Sequence, residues 1–211
     1  VSGEESSPQL KHRAERLDVK GERVHVLAQT SMAQIEKELL ALLPDVAIID
    51  SIQSIYSPDF SGTPGSISQV RECASMLMQF AKRLNCAIFL IGHVTKEGMV
   101  AGPKLLEHTV DCVLYLEGDS NEGLRLLRSV KNRFGGVNEL GFFTMHQDGL
   151  QEVPHINEYL LSEAETAPGS ILVGCMEGTR PLLLEIQALV VASKFGVPQR
   201  VITGLDHKRV V

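Results

Sequence analysis

Two uninterrupted apolar runs constrain this chain more than any other feature. Val46-Ala47-Ile48-Ile49 leads into Asp50 and Ser51, and Ile88-Phe89-Leu90-Ile91 leads into Gly92 and His93. Strands of a parallel α/β sheet lie between helices, read as continuous apolar segments and present ligands at their carboxyl ends. Asp50 and His93 are therefore expected at one edge of one sheet. A carboxylate in that place suits Mg²⁺ and its water in nucleoside triphosphatases, because the hard cation bridges phosphate oxygens. The same Asp also reads as a plain strand end whose side chain caps the next turn.

The 211 residues, 44% of them apolar, suffice for one large domain or one and a fraction. A net charge of -6 excludes an overall basic surface, so contacts to nucleic acid fall to local loops. Cys73, Cys86, Cys112 and Cys175 include no CxxC pair and lie in apolar segments. That predicts reduced core thiols rather than a zinc site or a disulfide framework. No apolar run nears the ~18 residues of a membrane span, and no charged-then-apolar signal opens the chain. A cytoplasmic protein with no membrane partner is expected.

Val1 to Ser6 reads as the tail of a strand and a loop, and Ser7-Pro8 as the cap and first residue of a helix to about Leu17. Val24 to Ala28 alternates as a short strand. Ser31 caps a helix whose Met32, Ile35, Leu39 and Leu42 repeat at spacings of three and four, ending before Pro44. The segment Ser57 to Ser68, rich in Gly, Ser and Pro, is too long for a simple connection. Ile67, Val70, Ala74, Leu77, Ala81 and Leu84 then mark the buried stripe of a long helix. Thr95 to Pro103 reads as a second, glycine-punctuated loop. Val110 to Leu116, Leu124 to Val130 and Gly141 to Met145 follow without long helices between them, which predicts an antiparallel meander at the sheet edge. The polar stretch from Leu160 to Gly169 reads as a boundary between a domain over 1–165 and another beginning at 166. The second offers strand-like runs Ser170 to Met176 and Pro181 to Val191, with too few residues for a core of ordinary size.

Five segments carry a family resemblance: VSGEES at 1–6, IIDSIQS at 48–54, GHVTKEG at 92–98, AGPKLLEHTVD at 101–111 and KNRFG at 131–135. Their order resembles the RecA-like motor core, and their wording is similar to the RadA (Sms) family of bacterial DNA repair proteins. KNRFG discriminates, because apolar strands ending in Asp are common and this pentapeptide is not. The resemblance runs from 1 to about 165, and PGSILVGCMEGTRPLLLEIQALV at 168–190 is similar to the opening of that family's Lon-protease-like domain. It implies an α/β fold with a RecA-like, mostly parallel sheet, helices on both faces and an antiparallel β edge, followed by a partial Lon-like α+β domain. The GxxxxGK[ST] phosphate loop and the family's four-cysteine zinc module are absent. The resemblance thus implies a chain truncated at its N-terminus, with zinc confined to the missing module. Lacking the loop's N–H groups and lysine, the isolated chain is expected to bind ATP poorly and hydrolyse it negligibly.

Residue by residue, the resemblance assigns Glu4 to the glutamate that polarises the attacking water, with Glu5 the less favoured occupant. Asp50 matches the Walker B aspartate that holds Mg²⁺ through water, with Ser51 as a helper. His93 matches the sensor that couples the γ-phosphate to the DNA loop. Lys131 and Arg133 match cations that reach the ATP of a neighbouring subunit in trans. The segments Ser57 to Ser68 and Thr95 to Pro103 match loops that grip single-stranded DNA, with Lys96 and Lys104 as candidate phosphate contacts. Read without the family, Glu4 and Glu5 form an acidic turn before a helix, His93 ends a strand, and Lys131 and Arg133 share the wet side of an edge strand. Lys96 and Lys104 are then solvated lysines.

The function so implied is a DNA-dependent, helicase-type ATPase of recombinational repair that promotes branch migration. It uses ATP and Mg²⁺, acts on single-stranded and branched DNA, partners a RecA-type recombinase and forms a ring, expected to be a hexamer. Its rivals are another RecA-like motor such as a replicative helicase or clock-type ATPase, a non-catalytic DNA-binding or ring-scaffold protein, and a Lon-type protease.

Overall fold

The computed structural model describes residues 1–19, 21–93, 103–118, 123–164, 167–192 and 199–205. The chain divides into two compact units, Val1–Pro154 and His155–Val211. Among the described residues no helix is long and apolar enough to cross a membrane.

The first unit opens with α1 (Ser7–Arg16), whose cap is Ser6, one residue earlier than expected. Ser6 and Gln9 form a capping box, and the proline sits in the first turn, where a missing N–H costs nothing. The run Val24 to Ala28 is not a strand; only Ala28 bridges, in parallel, to Ser2. α2 (Met32–Leu42) buries Met32, Ile35 and Leu39 but leaves Leu42 exposed. It stops where Leu43 turns left-handed before Pro44, which cannot continue a helix. β1 (Val46–Asp50) pairs in parallel with β2 (Ala87–Ile91), Asp50 opposite Ile91. α3 (Ile67–Leu84) connects them, as a parallel pair requires a long crossover.

Residues 1–3 act as a third parallel strand. Gly3 N–H donates to the Asp50 carbonyl at 2.8 Å, and Ser2 N–H donates to the Leu27 carbonyl at 2.8 Å. Ala47 and Ile49 face α2 and α3 in one core with Ile35, Val70, Cys73, Leu77 and Phe80. The other side of the strands keeps Val46, Ile48, Phe89 and Ile91 exposed. On α3 the buried stripe runs through Val70, Cys73, Ala74, Leu77 and Phe80, while Ile67 is exposed at the first turn.

After α4 (Pro103–Leu106) come β3 (Cys112–Glu117), β4 (Leu124–Asn132), β5 (Leu140–His146) and β6 (Gly149–Glu152). They form the expected antiparallel meander, as a four-stranded sheet hydrogen-bonded separately from β1 and β2.

The second unit holds α5 (Ile156–Glu163) and the antiparallel hairpin of β7 (Ser170–Glu177) and β8 (Arg180–Gln187). Asn157 ties helix to hairpin: its Nδ2 donates to the Pro181 carbonyl and its Oδ1 accepts from Leu183 N–H. The polar stretch from Leu160 to Gly169 begins within α5 and ends just before β7.

Candidate active site

Gly3 lets the first strand close against the turn that follows β1. A Cβ there would lie 1.8 Å from Ser54 Oγ. Ser54 in turn donates its hydroxyl to the Ser51 carbonyl at 2.7 Å, folding Ile52–Ser54 into one 3₁₀ turn. This close approach carries Glu4 to the carboxyl ends of β1 and β2. Neither Gly3 nor Ser54 carries a sequence signal of that role, because the contact spans about fifty residues of chain and depends on the absence of one carbon.

Three predicted residues meet there. Ser51 is completely buried and donates its hydroxyl to Glu4 Oε1 at 2.6 Å. The same carboxylate oxygen lies 3.7 Å from His93 Nε2, at the end of β2. A hydroxyl donating to a carboxylate is a charge-assisted bond, worth about 1.5–3 kcal/mol, enough to fix the direction in which Glu4 presents its second oxygen. Gln53 Nε2 donates to the His93 carbonyl at 3.3 Å, linking the turn after β1 to the end of β2. Gln53 Oε1 is buried with no hydrogen-bond partner among the described residues.

Asp50 ends β1 beside this group, partly exposed, and its carboxylate makes no hydrogen bond among the described residues. No three His, Cys, Asp or Glu side chains among the described residues converge to cage a metal. A lone carboxylate still fits Mg²⁺, which keeps most of its waters and takes one or two protein oxygens plus phosphate. Glu5 turns away: its N–H donates to Ser2 Oγ at 3.0 Å, and its carboxylate pairs with Arg13 of α1.

Lys131 lies near the end of β4, and Arg133 follows in the turn just beyond Asn132. Lys131 Nζ donates to the carbonyls of Glu107 and Val110 at 2.5 and 2.8 Å, and Arg133 pairs with Asp111 at 2.7 Å. Both are held by the turn after α4, within their own chain. Lys104 lies in α4, whereas Lys96 and most of the Thr95 to Pro103 loop lie outside the described residues.

The loop Ser57 to Ser68 is wound around Gln69, which is 2% exposed. Its side chain accepts from Ser57 N–H and donates to the carbonyls of Ser57 and Phe60, at 2.7–2.9 Å. Sequence reasoning missed this residue because a glutamine in the first turn of a helix ordinarily faces water.

The cysteines correct one expectation. All four thiols are free, but only Cys73 and Cys86 are buried; Cys112 is exposed and Cys175 is intermediate. Cys112 opens β3 on its solvent side, and Cys175 sits in a two-stranded hairpin with little to cover it.

No family model matches the chain. The DNA repair protein RadA of Listeria monocytogenes is 52% identical over all 211 residues, which span 46% of its length. The Bacillus subtilis protein of that name is 50% identical over the same 211 residues, again 46% of its length. That of Streptococcus pneumoniae is 52% identical over 99% of this chain and 50% of its own. The chain thus spans about half the length of the curated relatives it matches. Among solved structures, an ATPase domain superposes with a TM-score of 0.52 over 72% of each chain at 10% identity, a likeness of fold alone. The fold is RecA-like. With about half its residues identical along its whole length, the chain belongs to the RadA family of DNA repair proteins and corresponds to their RecA-like part.

Proposed function

We propose that this chain is the central part of a DNA-dependent ATPase of recombinational repair, which forms a hexameric ring and promotes branch migration with a RecA-type recombinase. The observation that carries the reading is the meeting of Glu4, Ser51 and His93 beside Asp50, whose carboxylate makes no hydrogen bond among the described residues, at the carboxyl edge of a parallel sheet. Mg²⁺-bound ATP supplies the phosphoryl group to be transferred and the charge neutralisation around it.

The chain's own residues do the rest. Glu4 accepts a hydrogen bond from the attacking water and aligns it with the leaving group. Ser51 holds Glu4 by its other oxygen. Asp50 holds the cation through water, and His93 senses whether the terminal phosphate is present. In this reading Lys131 and Arg133 exchange their partners at 107–111 for the nucleotide of the adjacent subunit, while 57–68 and 95–103 line the DNA channel, with Lys96 and Lys104 as phosphate contacts. Residues from 166 onward begin a Lon-like domain that serves as a ring scaffold.

The test is a chimera in which this segment replaces its counterpart in the Listeria monocytogenes relative, which is 52% identical. Phosphate release stimulated at least about tenfold by single-stranded DNA is expected. A chimera that forms rings but releases no phosphate overturns the motor reading and leaves a non-catalytic scaffold.

A further inference from the structure

Away from the proposed catalytic cluster, the first unit holds a groove of about 490 Å³ between α3 and the turn that follows α4. One wall is a stripe on α3, with Arg71, Ser75, Met78 and Lys82 recurring at spacings of four, three and four, and with the carboxylate of Glu72 beside Arg71. His108 and Arg133 stand opposite. The stripe covers three helical turns, about 16 Å at 1.5 Å per residue. It presents cations at both ends, in a chain whose net charge is -6.

The charges here are available. Lys82 and His108 have no hydrogen-bond or ion-pair partner among the described residues. Among the described residues Arg71 pairs only with its sequence neighbour Glu72, at 3.0 Å, and Arg133 with Asp111. Both pairs are about half exposed, and such pairs contribute about 0–1 kcal/mol. An incoming phosphate therefore displaces Glu72 from Arg71 at little cost.

Topology says which phosphate. Arg71 lies one turn into the helix that the loop 57–68 feeds, and His108 lies just beyond α4, into which the segment 95–103 leads. Both are the segments assigned above to the DNA channel. We propose that this groove carries the phosphate backbone of a single DNA strand onward from those loops, with Arg71 and Lys82 as its principal contacts. A strand suits the site better than a nucleotide, because the cations are strung along about 16 Å instead of converging on one point. The proposal rests on the reading of the chain as DNA-binding and adds a place to it.

The experiment uses the 211-residue chain and a fluorescein-labelled oligothymidylate, with affinity followed by anisotropy across a salt series. Each phosphate contact contributes about 0.7 to the slope of log affinity against log salt on a single strand. Arg71→Ala with Lys82→Ala is therefore expected to lower the slope by about 1.4 and to weaken binding at least about tenfold at low salt, while Lys37→Ala on α2 leaves both unchanged. Binding whose slope and affinity survive the double substitution overturns the groove and keeps the DNA reading. No binding by the unsubstituted chain overturns both for this segment. Equal affinity for poly-glutamate, lost in the same variant, overturns the nucleic-acid assignment in favour of an acidic protein segment.

Discussion

Cys73 has no solvent exposure, and burial pushes its thiol up to about 11. It is therefore the thiol, and not the nucleophilic thiolate, at any ordinary pH. A chromogenic disulfide reagent at about pH 8 is expected to titrate the exposed Cys112 within seconds and to reach Cys73 only after denaturation. Equal rates at the two positions would contradict the packing of α3. The sign of the accompanying pH effect is fixed: the native thiol holds its proton to a higher pH than the unfolded one, whose ordinary value is near 9. That contribution to stability is complete below pH 9 and is lost as pH rises towards 11, so the melting temperature should fall across that window. At this scale the sequence exposed the identity of Glu4, Ser51 and His93 but not their arrangement. A 2.6 Å bond between residues 47 positions apart is a property of the closed sheet.

Among the elements, the segment 57–68 reads from composition alone as an open loop, and the structure gives it a buried polar centre. Gln69 satisfies one N–H and two carbonyls at hydrogen-bond distances of 2.9 Å or less. Replacing it by Ala leaves those groups buried and unpaired, at a cost of about 1 kcal/mol or more each. Gln69→Ala is thus expected to destabilise the first unit by about 2–4 kcal/mol and to raise amide exchange at Ser57 before the rest of the core. A loss below about 0.5 kcal/mol would mean the loop does not depend on that side chain. Helix type and strand type were readable because periodicities of about 3.6 and 2 are local signals. Helix ends and the supposed strand Val24 to Ala28 were less so. Val24 and Val26 are exposed, and within this run only Ala28 forms a strand bridge, to Ser2. Ile67 and Leu42 fit their stripes by spacing, yet sit at the first and last positions of their helices and stay exposed.

For the whole molecule, the parallel order of β1 and β2 followed from a long helix between two apolar runs, and the meander followed from strands too close in sequence for a crossover. Periodicity could not say that the meander closes its own hydrogen bonds as a separate sheet. The functional reading came from wording rather than pattern, since Lys131 and Arg133 are indistinguishable by spacing from two solvated charges. The structure holds both on the turn at 107–111, the same turn that forms one wall of the groove along α3.

The central claim is that Glu4, fixed by Ser51, is the group that orients the attacking water. The direct measurement is phosphate release by the relative's chimera carrying Glu4→Gln, beside binding of a fluorescent ATP analogue to the same protein. Glutamine keeps the shape and the bond from Ser51 but lacks the carboxylate charge, so release should fall about 100-fold or more while nucleotide binding stays within a few-fold. Release at the unsubstituted rate with binding intact would contradict the account and remove Glu4 from the reaction.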